Sequence, residues 1–166
     1  MFHILVVDDD KNTRQLIKAV LETENYIVIG ATDGEDALKV LDRSHIDLVI
    51  LDVMMPKMDG YEFTEILRRV QNELPILMVS AKQLPADRNK GFIVGTDDFM
   101  TKPFDEEELL LRVKALLRRA KIVNEHRIII GEVILDYDSL TVKRKNTCQE
   151  LPQKEFMLLY KLLSYP

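Results

Sequence analysis

Leu48-Val49-Ile50-Leu51-Asp52-Val53-Met54-Met55-Pro56 is an apolar run that ends in a carboxylate and passes at once into a loop. So short a run of β-branched and aliphatic residues does not make a typical helix. It reads as a strand buried on both faces of a parallel sheet. Asp52 would then emerge at the carboxyl edge of the sheet, where open α/β sheets bind their ligands.

The flanking sequence repeats this pattern. Upstream, Ile4–Val7 is a short strand ending in Asp8-Asp9-Asp10, and Leu16, Ile17, Val20 and Leu21 recur at helical spacing between Asn12 and Glu24. Tyr26–Ala31 reads as a second strand, and Asp33-Gly34 breaks the chain before the helical Ala37, Leu38, Val40 and Leu41. Downstream, Met58-Asp59-Gly60 marks a turn before Tyr61, Phe63, Ile66, Leu67 and Val70, and Ile76–Val79 is a buried strand ending in Ser80. Pro85 opens a helix to Val94 with only a thin apolar stripe. Asp98–Thr101 is a fifth strand running into Lys102-Pro103-Phe104, and Asp105 is a candidate cap for a long helix. That helix carries Glu106 to Glu108 in its first turn and Arg118, Arg119 and Lys121 in its last, which suits its dipole. Five strands alternating with five helices imply an α/β domain, a parallel sheet covered on both faces, ending near Lys121.

The rhythm then changes. After a linker over 122–127, the segments Ile128–Ile130, Val133–Leu135, Leu140–Lys143 and Thr147–Leu151 are short strands broken at Gly131, Asp136, Asp138 and Asn146. They read as an antiparallel meander. Phe156, Leu158, Leu159, Leu162 and Leu163 return to helical spacing. A small sheet with one helix makes a thin core, so residues 128–166 read as the first part of a second domain.

Composition narrows the function. With 46% hydrophobic and 31% charged residues the chain is that of a soluble globular protein. No apolar run reaches the roughly 20 residues needed to span a bilayer. The start, Met1-Phe2-His3, has no basic region ahead of its apolar residues, and a cytoplasmic protein is expected. The single cysteine, Cys148, excludes an intrachain disulfide. Up to Lys121 there are 17 basic and 22 acidic residues, and six of each thereafter, so neither part is a basic arm for nucleic acid.

The polar residues at strand ends are Asp8 and Asp9, Asp52, Ser80 and Lys102. In a parallel sheet all of them reach one edge. Carboxylates gathered in one crevice repel each other and favour a cation, and all-oxygen donors favour a hard ion such as Mg2+. Beside such an ion and a lysine, a carboxylate is well placed to attack phosphorus, because the positive charges neutralise the phosphoryl oxygens. Asp52 would then carry an acyl phosphate.

The Val6-Val7-Asp8-Asp9-Asp10 strand end, the Leu51–Pro56 run with Met58-Asp59-Gly60, Ser80-Ala81-Lys82 and Thr101-Lys102-Pro103-Phe104 resemble the receiver domain of two-component response regulators. The resemblance covers Phe2 to about Lys121. It implies a flavodoxin-like (βα)5 fold with strand order 2-1-3-4-5, and a protein that is not an enzyme. It also implies that Asp52 is the phosphoacceptor, fed by a sensor histidine kinase. Asp8, Asp9, Asp52 and the Met54 backbone carbonyl would hold Mg2+, with Asp8 acting mainly through water, and Ser80 and Lys102 would meet the phosphoryl oxygens. Ser80 stands where the family usually has threonine, and the Lys102-Pro103 bond is a cis candidate. Ser80 and Phe99 would form the switch.

Arg88, Asp97, Asp98, Glu108, Arg112 and Arg119 resemble the charged homodimer face formed by the fourth helix, fifth strand and fifth helix in the winged-helix subfamily. The meander and Leu151-Pro152-Gln153-Lys154-Glu155-Phe156 resemble the start of an OmpR/PhoB-type winged-helix effector, with Pro152 in place of a threonine cap and the recognition helix missing. Transcription regulation through DNA binding is expected only of the complete protein.

Other readings compete with this one. A regulator acting through protein contacts alone stays open. An aspartate-nucleophile phosphatase would need a second aspartate where Met54 stands, and a flavodoxin's phosphate would be repelled by Asp8, Asp9 and Asp10.

Overall fold

The computed structural model describes residues 2–70, 73–82, 84–125, 127–137 and 139–164. Asp138, expected as a strand break, His126 of the expected linker, and the terminal Met1 and Pro166 lie outside the described residues. The chain divides into two compact units, Met1–Leu117 and Arg118–Pro166.

In the first unit, strands and helices alternate: β1 (His3–Val7), α1 (Lys11–Glu22), β2 (Ile27–Ala31), α2 (Gly34–Arg43), β3 (Leu48–Leu51), α3 (Gly60–Val70), β4 (Ile76–Ser80), α4 (Pro85–Val94), β5 (Asp98–Thr101) and the start of α5 (Glu106–Glu125). The strands form one parallel sheet in the order β2-β1-β3-β4-β5. This is the flavodoxin-like (βα)5 architecture. Side chains alternate across the pleat. Leu5, Val7, Val49, Leu51, Ile76 and Met78 pack on one face against Ala37, Val40, Phe63 and Leu67. Ile4, Val6, Leu48, Ile50, Leu77 and Val79 pack on the other against Ile17, Val20, Leu21, Leu109 and Val113. The continuously apolar strands are therefore buried on both sides.

Helix ends follow local chemistry. Asp10 caps α1 by accepting from the Asn12 N–H at 3.1 Å, and Asp33 caps α2 by accepting from the Asp36 N–H at 2.8 Å. The thin-striped α4 starts at Pro85 with no side-chain cap and stops at Gly95, whose φ of 116° only glycine adopts without strain. Helix α5 runs to Glu125, so residues 122–125 of the expected linker are helical.

The second unit holds an antiparallel sheet ordered β6 (Arg127–Ile130), β7 (Val133–Asp136), β8 (Thr141–Arg144) and β9 (Thr147–Glu150), then α6 (Gln153–Ser164). Leu135 and Phe156 are buried, and Tyr137, Phe156 and Tyr160 form an aromatic cluster with centroids 5.1–6.3 Å apart. With Pro152 before it, α6 begins on the Pro152 carbonyl, which accepts from the Phe156 N–H at 3.0 Å. The sheet and helix resemble a partial winged-helix module. Among the described residues no helix is long and apolar enough to cross a membrane.

Candidate functional site

The parallel register carries three strand ends to one place. Leu51 of β3 lies beside Val7 of β1, and the ladder continues one residue further, where the Asp52 N–H donates to the Val7 carbonyl at 2.9 Å. On the far side of β1, the Asp8 N–H donates to the Ala31 carbonyl at 3.1 Å. Carboxylate oxygens of Asp8, Asp9 and Asp52 come within 4.8 Å of one another. Asp8 and Asp52 are buried, whereas Asp9 is open to solvent. Lys102 enters from the end of β5, with Nζ 2.7 Å from Asp8 Oδ2 and 3.5 Å from Asp52 Oδ2. The Lys102–Pro103 peptide is cis.

Charge within the cluster is unevenly settled. Burial pushes the Asp52 carboxyl above the ordinary carboxylate value, and Asp8 adds to the rise against the pull of Lys102 and the Met54 N–H. Burial alone would weaken the Lys102 ammonium. Its hydrogen bond to Asp8 and the charges of Asp52 and Asp8 outweigh burial and raise its pKa. Both shifts leave the lysine firmly charged and the Asp52 carboxylate in want of further positive charge. An all-oxygen donor set of this kind suits a hard divalent cation, with the exposed side of Asp9 leaving room for water.

Backbone contacts hold the acidic loops in shape. The Met54 N–H donates to Asp52 Oδ1 at 3.3 Å, and the Asp10 N–H donates to Asp8 Oδ1 at 2.9 Å. Gly60 lies directly against the loop: a Cβ there would stand 2.5 Å from the Asp52 carbonyl oxygen and 2.8 Å from Val53 Cα. No side chain fits, which explains the glycine in Met58-Asp59-Gly60.

The remaining expected residues fall in two groups. Ser80 ends β4 fully buried, with its Oγ accepting from the Lys82 N–H at 3.2 Å. Phe99 is also buried, close beneath Gly91, with the Arg88 guanidinium 5.8 Å from its ring centre. Several of the charges expected on a dimer face have partners within the chain. Arg112 pairs with Asp98 and Glu108 at 2.9 Å each, and Asp97 pairs with Arg68 at 2.7 Å. Arg119 is exposed.

Two residues that shape this region were not singled out from the sequence. Arg14 donates from Nη1 to the Asp8 carbonyl at 2.7 Å, pinning the loop after β1. Arg68 donates to the Gly95 carbonyl at 2.8 Å and the Leu74 carbonyl at 2.6 Å besides pairing with Asp97. Arg14 could have been suspected as a basic residue in the first turn after an acidic strand end. Arg68 carried no such signal, since two of its partners are backbone carbonyls and another, Asp97, lies 29 positions away.

Comparison with known proteins agrees with this geometry. The family described as the response regulator receiver domain matches residues 4–114. Heme response regulators HssR of Staphylococcus epidermidis and Staphylococcus aureus are 37% identical over all 166 residues, which cover 74% of their length. Among solved structures, the receiver domain of a Francisella response regulator matches 72% of this chain and 98% of its own at 35% identity and a TM-score of 0.68. The Vibrio cholerae chemotaxis protein CheY4 matches 70% of this chain and 98% of its own at 34% identity and a TM-score of 0.67. Such receivers transduce phosphoryl groups and are not enzymes in their own right. The buried Asp8 and Asp52, exposed Asp9 and intruding Lys102 are the acidic site of such a fold, and the chain belongs to the response regulator receiver family of two-component systems.

Proposed function

We propose that Asp52 accepts a phosphoryl group from a phosphohistidine of a sensor histidine kinase in the cytoplasm. The observation that carries this reading is the convergence of Asp8, Asp9, Asp52 and Lys102 at one sheet edge. An Asp52 oxygen attacks phosphorus, the phosphorus–nitrogen bond to the kinase imidazole breaks, and the imidazole departs with a proton from water. Asp9, Asp52 and the Met54 carbonyl would hold Mg2+, with Asp8 acting mainly through water, and a donor set of carboxylate and carbonyl oxygens fits that ion. When bound, the ion supplies positive charge against the phosphoryl oxygens. Lys102 supplies the same from the protein side, and Ser80 offers its hydroxyl.

The output runs through β4 and β5, which carry Ser80 and Phe99. Ser80 and Phe99 form the switch, with Ser80 moving toward the phosphoryl group and the Phe99 ring, buried here, held inward behind it. The homodimer uses the face carrying Arg88, Asp97, Asp98, Glu108, Arg112 and Arg119. Since several of these are paired within the chain, association exchanges internal for intermolecular pairs and is salt-sensitive. Residues 1–121 serve as the receiver and 128–166 as the start of the effector, joined through 122–127, of which 122–125 continue α5 and Arg127 opens β6. A protein carrying the complete winged-helix module binds DNA and regulates transcription.

Incubation with acetyl phosphate and Mg2+ tests the reading. The expected result is a mass gain of one phosphoryl group with a shift to dimer, both lost in Asp52→Ala. Continuous turnover of the donor would mean a phosphatase, and an unmodified chain would overturn the phosphoacceptor role. Phosphorylation without any change of oligomeric state would favour a regulator acting through other protein contacts.

A further inference from the structure

The amino-terminal edge of the parallel sheet, at the other end of β1 and β3 from Asp52, brings two imidazoles and a carboxylate close together. Asp47, just before β3, is bridged to His3 of β1 by two backbone-centred bonds. The Asp47 N–H donates to the His3 carbonyl at 2.8 Å, and the His3 N–H donates to Asp47 Oδ2 at 2.8 Å. These bonds fix the carboxylate between two imidazoles. His45 Nε2 lies 2.8 Å from Asp47 Oδ1, and His3 Nδ1 lies 3.9 Å from Asp47 Oδ2. The rings meet edge to face, with centroids 6.4 Å apart.

One atom here is unexplained by the fold. His3 Nδ1 is buried and has no hydrogen-bond partner, and 3.9 Å is beyond hydrogen-bonding reach of Asp47. A buried ring nitrogen without a partner is costly and calls for an occupant such as water or an ion. Two imidazoles and one carboxylate form a donor set suited to zinc and poorly suited to magnesium. The carboxylate is already oriented by a backbone N–H, as ligating carboxylates usually are.

We propose that His3, His45 and Asp47 form a site for a borderline transition-metal dication of the zinc class, separate from the acidic site. Imidazoles that share a tetrahedral zinc stand with centres roughly 5 Å apart, so the rings close by about 1 Å on binding. The movement falls to His45, whose side chain is 78% exposed and lies in the turn between α2 and β3. The ion replaces the His45–Asp47 hydrogen bond, takes up the idle His3 nitrogen and ties the start of β1 to the start of β3. Water completes the shell.

Zinc alone is the probe, titrated by calorimetry into the untagged full chain with saturating Mg2+ present to occupy the acidic site. One equivalent is expected to bind and raise the melting temperature, and Co2+ in its place is expected to give the absorption bands of a nitrogen-ligated, tetrahedral ion. Asp52→Ala and Cys148→Ser should retain this binding. His45→Ala, at an exposed turn, should weaken it by at least about tenfold, and His3→Gln should do the same. Absence of zinc binding would overturn the proposal. So would binding that survives both histidine variants or that disappears in Asp52→Ala or Cys148→Ser. None of these outcomes depends on phosphorylation of Asp52.

Discussion

The two sheets of this protein solve burial differently. In the parallel sheet, β3 and β4 are buried at every residue, because helices cover both faces. In the antiparallel sheet, β9 is exposed throughout, and Ile129 of β6 is 68% exposed although apolar. Only the doubly covered sheet can desolvate charge at its edge. Asp8 and Asp52 are buried there, whereas the charged residues of the second unit stay on exposed or half-buried positions such as Asp136, Arg127 and Lys145. The contrast teaches that the buried carboxylates owe their environment to the helices on either side of the strands.

Core truncation breaks this comparison most sharply. Leu77→Ala, at a fully buried position of β4, is expected to cost about 3 kcal/mol of unfolding free energy. Ile129→Ala should change it by less than about 0.5 kcal/mol. Urea denaturation of the full chain measures both, and equal losses would erase the distinction between the sheets.

A smaller effect is expected from charge at the buried edge. Lys102→Met leaves Asp8 and Asp52 facing each other without compensation and should cost roughly 2 kcal/mol without divalent ions, less than a fully buried pair because the lysine keeps some water. The Lys102 pKa is raised in the fold, so its stabilising contribution is complete at neutral pH. It is lost only as pH climbs above the unfolded value of 10.5 and through the raised one. Removal of Lys145 with its partner Glu132, an exposed pair 3.4 Å apart in the second unit, makes the matching control and should cost almost nothing.

The smallest effect has the opposite sign. Because burial raises the Asp52 pKa, the ionised carboxylate weakens the fold, and this penalty grows as pH rises through the raised value. Asp52→Asn should therefore melt a few degrees higher than the parent near neutral pH without metal. The advantage should vanish below the unfolded carboxylate value of 3.8, where the parent is protonated in both states. Calorimetry at the two pH values checks this, and a lower melting temperature for Asp52→Asn at neutral pH would mean that Lys102 overcompensates the carboxylate.

Most of the fold was legible because its signals are local. Strand ends carrying Asp8, Asp52, Ser80 and Lys102 stood out as polar residues closing apolar runs, and the glycine of Met58-Asp59-Gly60 marked a turn. What escaped were contacts between segments distant in sequence. Arg68 reaches Asp97, 29 positions away, and His3 reaches Asp47, 44 positions away, neither of which follows from periodicity. The pairing of Asp97, Asp98 and Glu108 within the chain was equally hidden, because composition shows charges and never their partners.

By itself the sequence determined the alternation of strands and helices, the family and which polar residues close the strands at the carboxyl edge, since hydrophobic period and strand-end chemistry are written in consecutive residues. Only the tertiary structure decided which carboxylates lose their water, how Lys102 divides itself between Asp8 and Asp52, and that His3 stands beside Asp47 with a nitrogen to spare. Those properties arise at the two ends of the parallel sheet, where residues far apart in the chain come together, and desolvation and charge pairing depend on distance in space.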